Sequence, residues 1–420
     1  MPEDIEQAWD GFLAQPGVAL AIGGMLDTSE LWLHRRVERL TLHSATVCNR
    51  HVSLDLSVPE DAPPLPWNSR QLLLPLTFLQ KQPLTRFDLH DSSGGPVPVL
   101  TAGQNGELAL TILSVMGEAV AGKELSRETQ DQLSAVVAAS GSPGSLDRVW
   151  DAFVDRVVDG PDAALFDHDG YLKLVEAFLE QFVLVAVLSE GPGVRTVLKF
   201  SYDTAFTLTE GENRLRRFRT RAGLRPAEVS FDVVSLLPAS STHVEVQEPE
   251  DVEVLATGAL REAAEPRAGA GVAGPRRHLH LGRLGAGEAV QVNLQVVPAR
   301  TGWMQGSRWS AWLAAFLLFG VYLRAPVLFH RGADDSASLL LAVTAVVVGL
   351  VTRPPAHAIA ARLVAVRVRL VWLPPVALML VAAVLVLEMQ QTVGRALVGI
   401  CAVAVSAVAV LLSLRPVRAH

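Results

Sequence analysis

Residues 309–329 read WSAWLAAFLLFGVYLRAPVLF, about the length of one bilayer crossing. Three more apolar runs follow: SASLLLAVTAVVVGLV at 336–351, LPPVALMLVAAVLVLEM at 373–389 and ALVGICAVAVSAVAVLLSL at 396–414. A hydrocarbon core about 30 Å thick is crossed by roughly 20 apolar residues in a helix, and charge inside it is costly. From Arg331 to Pro416 there is no Lys, and the acids are Asp334, Asp335 and Glu388 alone. Four transmembrane helices are expected, at 309–329, 336–352, 373–391 and 395–414.

Arginines orient the block. The second connection carries Arg353, Arg362, Arg367 and Arg369 with no acid, and the tail adds Arg415 and Arg418. In the first connection, Arg324 and Arg331 are offset by Asp334 and Asp335. Positive charge in short loops marks the cytoplasmic side, so the second connection and both chain ends are expected inside a cell membrane. The opening, with Glu3, Asp4 and Glu6 and a short apolar run at 18–26, does not read as a signal peptide. Cys48 and Cys401 fall in different parts and do not read as a disulfide, which suits a reducing compartment.

Charge divides at the membrane boundary. Residues 309–420 hold nine Arg against three acids, and the remainder holds 27 basic against 40 acidic residues. An acidic region of this kind repels nucleic acid, so no nucleic-acid partner is expected. The Ala, Val, Arg, Gly and Pro bias resembles the usage of high-GC bacteria, so a bacterial source is expected.

Ahead of the membrane block, an α+β region is expected in three parts. Residues 1–103 read as mostly β after a short helix at 5–14 and a Gly-containing turn. Val52, Leu54, Leu56 and Val58 alternate with Ser53, Asp55 and Ser57, the period of a half-buried strand. Companion strands fit 33–42, 71–79, 84–89 and 97–100. Residues 104–190 form a helical segment, with helices at 104–120, 126–139, 146–158 and 170–188. Residues 191–305 return to β, at 197–208, 227–237, 242–246, 252–255, 277–282 and 288–297. An antiparallel, sandwich-like arrangement leading into a four-helix membrane domain at 306–420 is the simplest assembly.

Several motifs carry a chemical reading beside a plain one. Residues 269–274 match Gly-x-Gly-x-x-Gly, but Pro266 and Pro275 flank them and no helix follows to receive a phosphate, so a linker is the better reading. Asp167, Asp169 and Glu176 stand at calcium-loop spacing, yet Leu165 occupies the first position, where an oxygen ligand is needed. They remain a weak metal candidate beside a helix-start role. His278 and His280 share one strand face, as two ligands or as two solvated side chains.

The sharpest local anomaly is Arg214, Arg216, Arg217, Arg219, Arg221 and Arg225, six cations in an acidic region. Their forked donors suit lipid headgroups or another anionic ligand; the plain alternative is a strand with solvated or ion-paired arginines. In the fourth span, Gly399, Ala402, Ser406 and Ala409 make one helical stripe, expected to pack against Ala311 and Ala315 or against Ala382 and Ala383.

No serine-hydrolase elbow, zinc-protease helix, Cys-x-x-Cys, phosphate-binding loop or kinase set is present, and no cofactor is called for. The leading reading is a non-enzymatic sensing or interaction protein with partners in the bilayer and in a cytoplasmic protein or anionic ligand. Self-association through the membrane helices is compatible with it. Two alternatives stand beside it: an effector whose soluble part gates a pore, and an anchored enzyme with dispersed site residues.

Overall fold

The alternation at 52–58 becomes the middle of a large sheet. A computed structural model describes residues 8–9, 11–141, 143–235, 237–261, 271–272, 276–282, 288–328, 333–387 and 390–414. Val52, Leu54 and Leu56 are buried on one face, while Ser53, Asp55 and Ser57 lie half-buried on the other. The chain begins with helices α1 (Pro16–Asp27) and α2 (Ser29–Trp32), then strands β1 (Leu33–Leu42), β2 (Val47–Ser57), β3 (Pro64–Leu65), β4 (Asn68–Gln80) and β5 (Thr85–His90). A helical layer follows: α3 (Ala102–Ala121), α4 (Arg127–Ala138), α5 (Pro143–Val158), a 3-10 turn (Ala163–Asp167) and α6 (Asp169–Glu180). Next come β6 (Gln181–Leu188), β7 (Arg195–Ala205), β8 (Thr207–Thr209) and helix α7 (Arg214–Arg221). The β region closes with β9 (Ala227–Ser235), β10 (Thr242–Gln247), β11 (Val252–Arg261), β12 (Gly271–Val272), β13 (Arg276–Gly282) and β14 (Glu288–Pro298). Last are α8 (Trp303–Leu328), α9 (Ala333–Val351), α10 (Ala358–Leu363), α11 (Ala365–Leu370), α12 (Leu373–Val386) and α13 (Gln391–Ser413).

Three elements depart from the expected ones. The helix expected over 170–188 stops at Glu180, and residues 181–188 pair with β4 as β6, buried nearly throughout. An apolar run without a polar face has no period to read, and Val183, Val185 and Val187 favour a strand. The turn expected after residue 14 is helix α1, which starts on Pro16 and buries Val18, Ile22 and Met25 against α3. Residues 97–100 form no strand of their own; Val99 makes a single bridge to Ala186. Within the helical layer, Thr101 and Gln104 form a reciprocal cap on α3. Asp162 is buried, which works to raise its pKa, but hydrogen bonds from Ser126 and Thr129 and the Lys123 ammonium hold it at about 2.

Strands from both β regions share one seven-stranded sheet, in the order β12-β13-β10-β1-β2-β7-β5. Its β1–β10 pair is parallel, so the expectation of a wholly antiparallel arrangement fails there. A four-stranded sheet (β11-β14-β9-β8) and a three-stranded one (β3-β4-β6) complete the β structure. One inner face of the large sheet serves two cores. Leu54, Leu56, Leu198 and Phe200 pack with the helices and the small sheet. Leu40, Leu42, Val244 and Val246 pack against Val229, Phe231, Val292 and Leu294 of the four-stranded sheet. Between them, on the same face, Arg36 donates to Glu38 at 2.8 Å and to Thr77 at 3.0 Å. Burial alone would raise the Glu38 pKa, but Arg36 and Arg50 hold it below the usual carboxylate range.

Among the described residues, three helices are long and apolar enough to cross a membrane: α8, the helical run Ala365–Val386 and α13. The expected count of four therefore depends on α9, whose apolar part, Ser336–Val351, is shorter. It packs against α8 and α12 as a member of the same cluster. α8 runs along α13, and Trp312 Nε1 donates to Ser413 Oγ at 3.1 Å, bringing the start of α8 beside the end of α13. On α13, Ala402 and Ala409 are buried and Gly399 and Ser406 half-buried, whereas Val403 is 72% exposed. A Cβ on Gly399 would sit 3.2 Å from the Tyr322 ring of α8, tighter than normal contact. Gly399→Leu is expected to cost about 1–3 kcal/mol of stability by overpacking, while Val403→Leu stays within about 0.5 kcal/mol. Thermal unfolding of the detergent-solubilised chain measures both, and equal tolerance would show that Gly399 faces lipid.

Candidate functional site

Where β8 ends, Glu210 turns inward with its side chain only 5% exposed. Its Oε2 accepts from Arg221 Nε of α7 at 2.7 Å and its Oε1 from Arg362 Nε of α10 at 2.5 Å. Its carbonyl accepts from Thr220 Oγ1 at 3.0 Å. One carboxylate thus clamps a helix of the β region to the connection between the second and third apolar helices. The turn into α7 needs Gly211: its φ is 104°, and a Cβ there would come 2.8 Å from Arg216 Cβ.

A second arginine of the connection lies deeper. Arg367 is 2% exposed and donates to Ala222 O at 2.5 Å, Leu414 O at 3.3 Å, Leu412 O at 3.4 Å and Gly223 O at 3.5 Å. Those carbonyls close the C-terminal ends of α7 and α13, where the helix dipole favours a cation. A single guanidinium therefore ties the β region, the connection and the last apolar helix together. Around it lies a small cavity of about 150 Å³ that Arg300 and Arg308 also line.

Two more bonds seat the connection. Ile359 N donates to His357 Nδ1, which leaves the proton on Nε2 to donate to Leu42 O of β1 at 2.8 Å. Asp251, at φ 60°, accepts from Ala299 N through its carbonyl and from Ala356 N through Oδ2 at 2.9 Å. The apolar side of α10 completes the arrangement. Ile359, Ala360 and Leu363 are members of the core between the two large sheets.

Five of the six arginines form helix α7, not the strand of the plain reading, and Arg225 follows its end. Arg214, Arg216, Arg217, Arg219 and Arg221 are exposed and Arg225 half-buried. Arg217 bonds the carbonyls of Gly211 and Glu212, and Arg221 holds Glu210, so two members brace the joint. Arg214, Arg216 and Arg219 make no ion pair with a described residue. They accompany exposed Leu215 and Phe218 on a helix in contact with α10 and α11.

Asp167, Asp169 and Glu176 are exposed, and Leu165, the first position of the calcium-loop match, is buried in the helical core. Among the described residues no group of three or more His, Cys, Asp or Glu stands together for a metal. His278 and His280 lie on β13 opposite Glu245 and His243 of β10. Of the glycine motif, Gly271 and Val272 form β12; Gly269, Ala270, Ala273 and Gly274 lie outside the described residues. Sequence reasoning counted Arg362 and Arg367 only as topology charges and missed Glu210, Asp251 and His357. The available sign was four arginines without an acid in a connection otherwise rich in Ala, Val and Leu. In comparisons with protein-family models and with curated proteins, nothing matches this chain.

Proposed function

We propose that this chain is a membrane-tethered sensing or interaction protein whose extramembrane domain and helix cluster move as one coupled unit. The observation that carries the reading is the connection at 352–372, which supplies Ile359, Ala360 and Leu363 to the domain core and two arginines to the joint. A domain on a passive anchor has no need of such seating. Any ligand or partner that alters the core between the sheets has a direct path to α10, and from there to α9 and α12. The pore alternative has less support, because the buried faces of the helices are mostly apolar, with Ser307, Ser310 and Thr344 set among residues such as Ala311, Leu318, Val381, Val398 and Val405. Arg367→Met removes the donor from carbonyls of both parts, each worth about 1–3 kcal/mol when left unsatisfied. Domain and membrane helices of the parent chain are expected to unfold in one transition, and those of the variant in two. Exposed Arg369→Gln serves as the control, and separate transitions already in the parent would remove the coupling idea.

The domain is proposed to face the cytoplasm of a bacterial cell, with α9 as a fourth crossing. The start of α8, the connection and the end of α13 gather around Arg367, which supports an even number of passages. A periplasm-dependent phosphatase fused after residue 414 should then be silent, and one inserted near residue 390 active. Activity after residue 414 would mean that α9 does not cross or that the orientation is reversed.

Helix α7 is proposed to meet anionic headgroups, with Leu215 and Phe218 entering the interface and Arg214, Arg216 and Arg219 taking phosphate. Changing these three arginines to Gln is expected to weaken association of reconstituted chain with anionic lipid, read as lost enrichment of phosphatidylglycerol around it. The difference should fade at high salt. Equal enrichment in parent and variant would rule out this contact.

A further inference from the structure

The helical layer holds a cleft of about 920 Å³ between α3, the end of α4, β5 and β6. Leu84, Phe87, Leu110, Val137, Phe178 and Phe182 make its walls apolar. Glycines on α3 keep it open: a Cβ at Gly103 would meet nothing within 4 Å, and one at Gly106 only Val137, at 3.8 Å. Its volume lies at the upper end of the roughly 300–1,000 Å³ of small-molecule sites, which pair apolar walls with a few placed polar groups.

The lining also includes Gln82, Glu107, Ser134, Ser140 and Gln181, and two of its polar residues stand out. Lys81 Nζ donates to Val136 O at 3.0 Å and Val137 O at 2.6 Å, the last carbonyls of α4, leaving one of its three hydrogens. It forms no ion pair with a described residue, and burial pushes its pKa down to about 8, so an anion brought beside it would be welcome. Asn105, also on the lining, donates through Nδ2 to Leu100 O, while its Oδ1 is buried with no hydrogen-bond partner among the described residues. A buried amide oxygen in that state calls for a donor from water or from an occupant.

We propose that the cleft binds a long-chain fatty acid, its carboxylate on Lys81 and its chain along Leu110, Phe178 and Phe182. Charge selects the acid and its direction: Lys81 is a cation that no described carboxylate pairs with, and Glu107 on the α3 side of the lining favours a head held at Lys81. Asn105 Oδ1 receives a hydrogen from a bound water, since the carboxylate head has none to give. The assignment of the occupant stands on the cleft alone; that binding is sensed rests on the function proposed above. Three elements that line the cleft, α3, α4 and β6, belong to the core that shares the inner face of the seven-stranded sheet with the core holding α10.

The test uses the full chain in lipid nanodiscs and a stearic acid carrying a photoreactive diazirine, with labelled peptides mapped by mass spectrometry. Labelling is expected within 84–110 and 178–184, competed by stearate and not by stearyl alcohol. Gly106→Phe fills the trough from a helical position with room for a side chain, and Lys81→Met removes the cation. Each is expected to lower cleft labelling at least fivefold while thermal unfolding shows the variant folded. Labelling confined to the membrane helices, or unchanged in both folded variants, would overturn the assignment. Cleft labelling without any change in hydrogen exchange at 352–372 on adding stearate would leave the ligand in place and remove the sensing role.

Discussion

A guanidinium buried between two helix ends is the constraint on which this architecture depends. Arg367 has no carboxylate partner among the described residues, so its charge is balanced by carbonyls of Ala222, Gly223, Leu412 and Leu414. Taking such a group out of water is costly unless its donors are satisfied, and the carbonyls are in turn costly without it. The arrangement is all-or-nothing. If α13 withdraws, Arg367 loses two acceptors; if α7 withdraws, it loses the other two. That mutual dependence holds the β region to the apolar helices through directional bonds as well as through apolar packing.

The same economy governs the domain. One face of the seven-stranded sheet supplies two hydrophobic cores, and the Arg36–Glu38 pair marks the seam between them. Apolar side chains across such a seam would fuse the cores into one. A charged pair with fixed partners, including Thr77 from β4, instead holds the small sheet in one register against the large one. The clamp at Glu210 repeats the device at the lower edge, where exposed arginine stems relieve part of the burial.

Much of this was legible where a period was present. Strands at 52–58 and 288–297 declared themselves by alternation, α3 by Leu108, Ile112, Val115 and Met116 on one side, and α4 by Ser126 at its start. Residues 181–188 did not, because a run buried on both faces carries no alternation. The parallel β1–β10 pair was beyond reach for a different reason: pairing partners some 200 residues apart leave no local trace. Helix α7 was masked by composition, since six arginines drew attention to charge and away from Leu215 and Phe218 at helical spacing. The joint was least legible of all. Glu210 and Arg362 are single, ordinary residues whose roles exist only once the chain has brought them within 2.5 Å.

The place of Ile359, Ala360 and Leu363 in the inter-sheet core also fixes an order of assembly. Strands β9, β11 and β14 leave the ribosome before α8 and α9, yet the apolar surface they present is finished by a segment made after both helices. On the topology proposed above, the domain waits, partly open, until the first two apolar helices have been delivered to the bilayer and the chain has returned. Membrane insertion would then be a step in the folding of the β region, and a chain that fails to insert would leave that region with an uncovered apolar face for quality-control proteases to find.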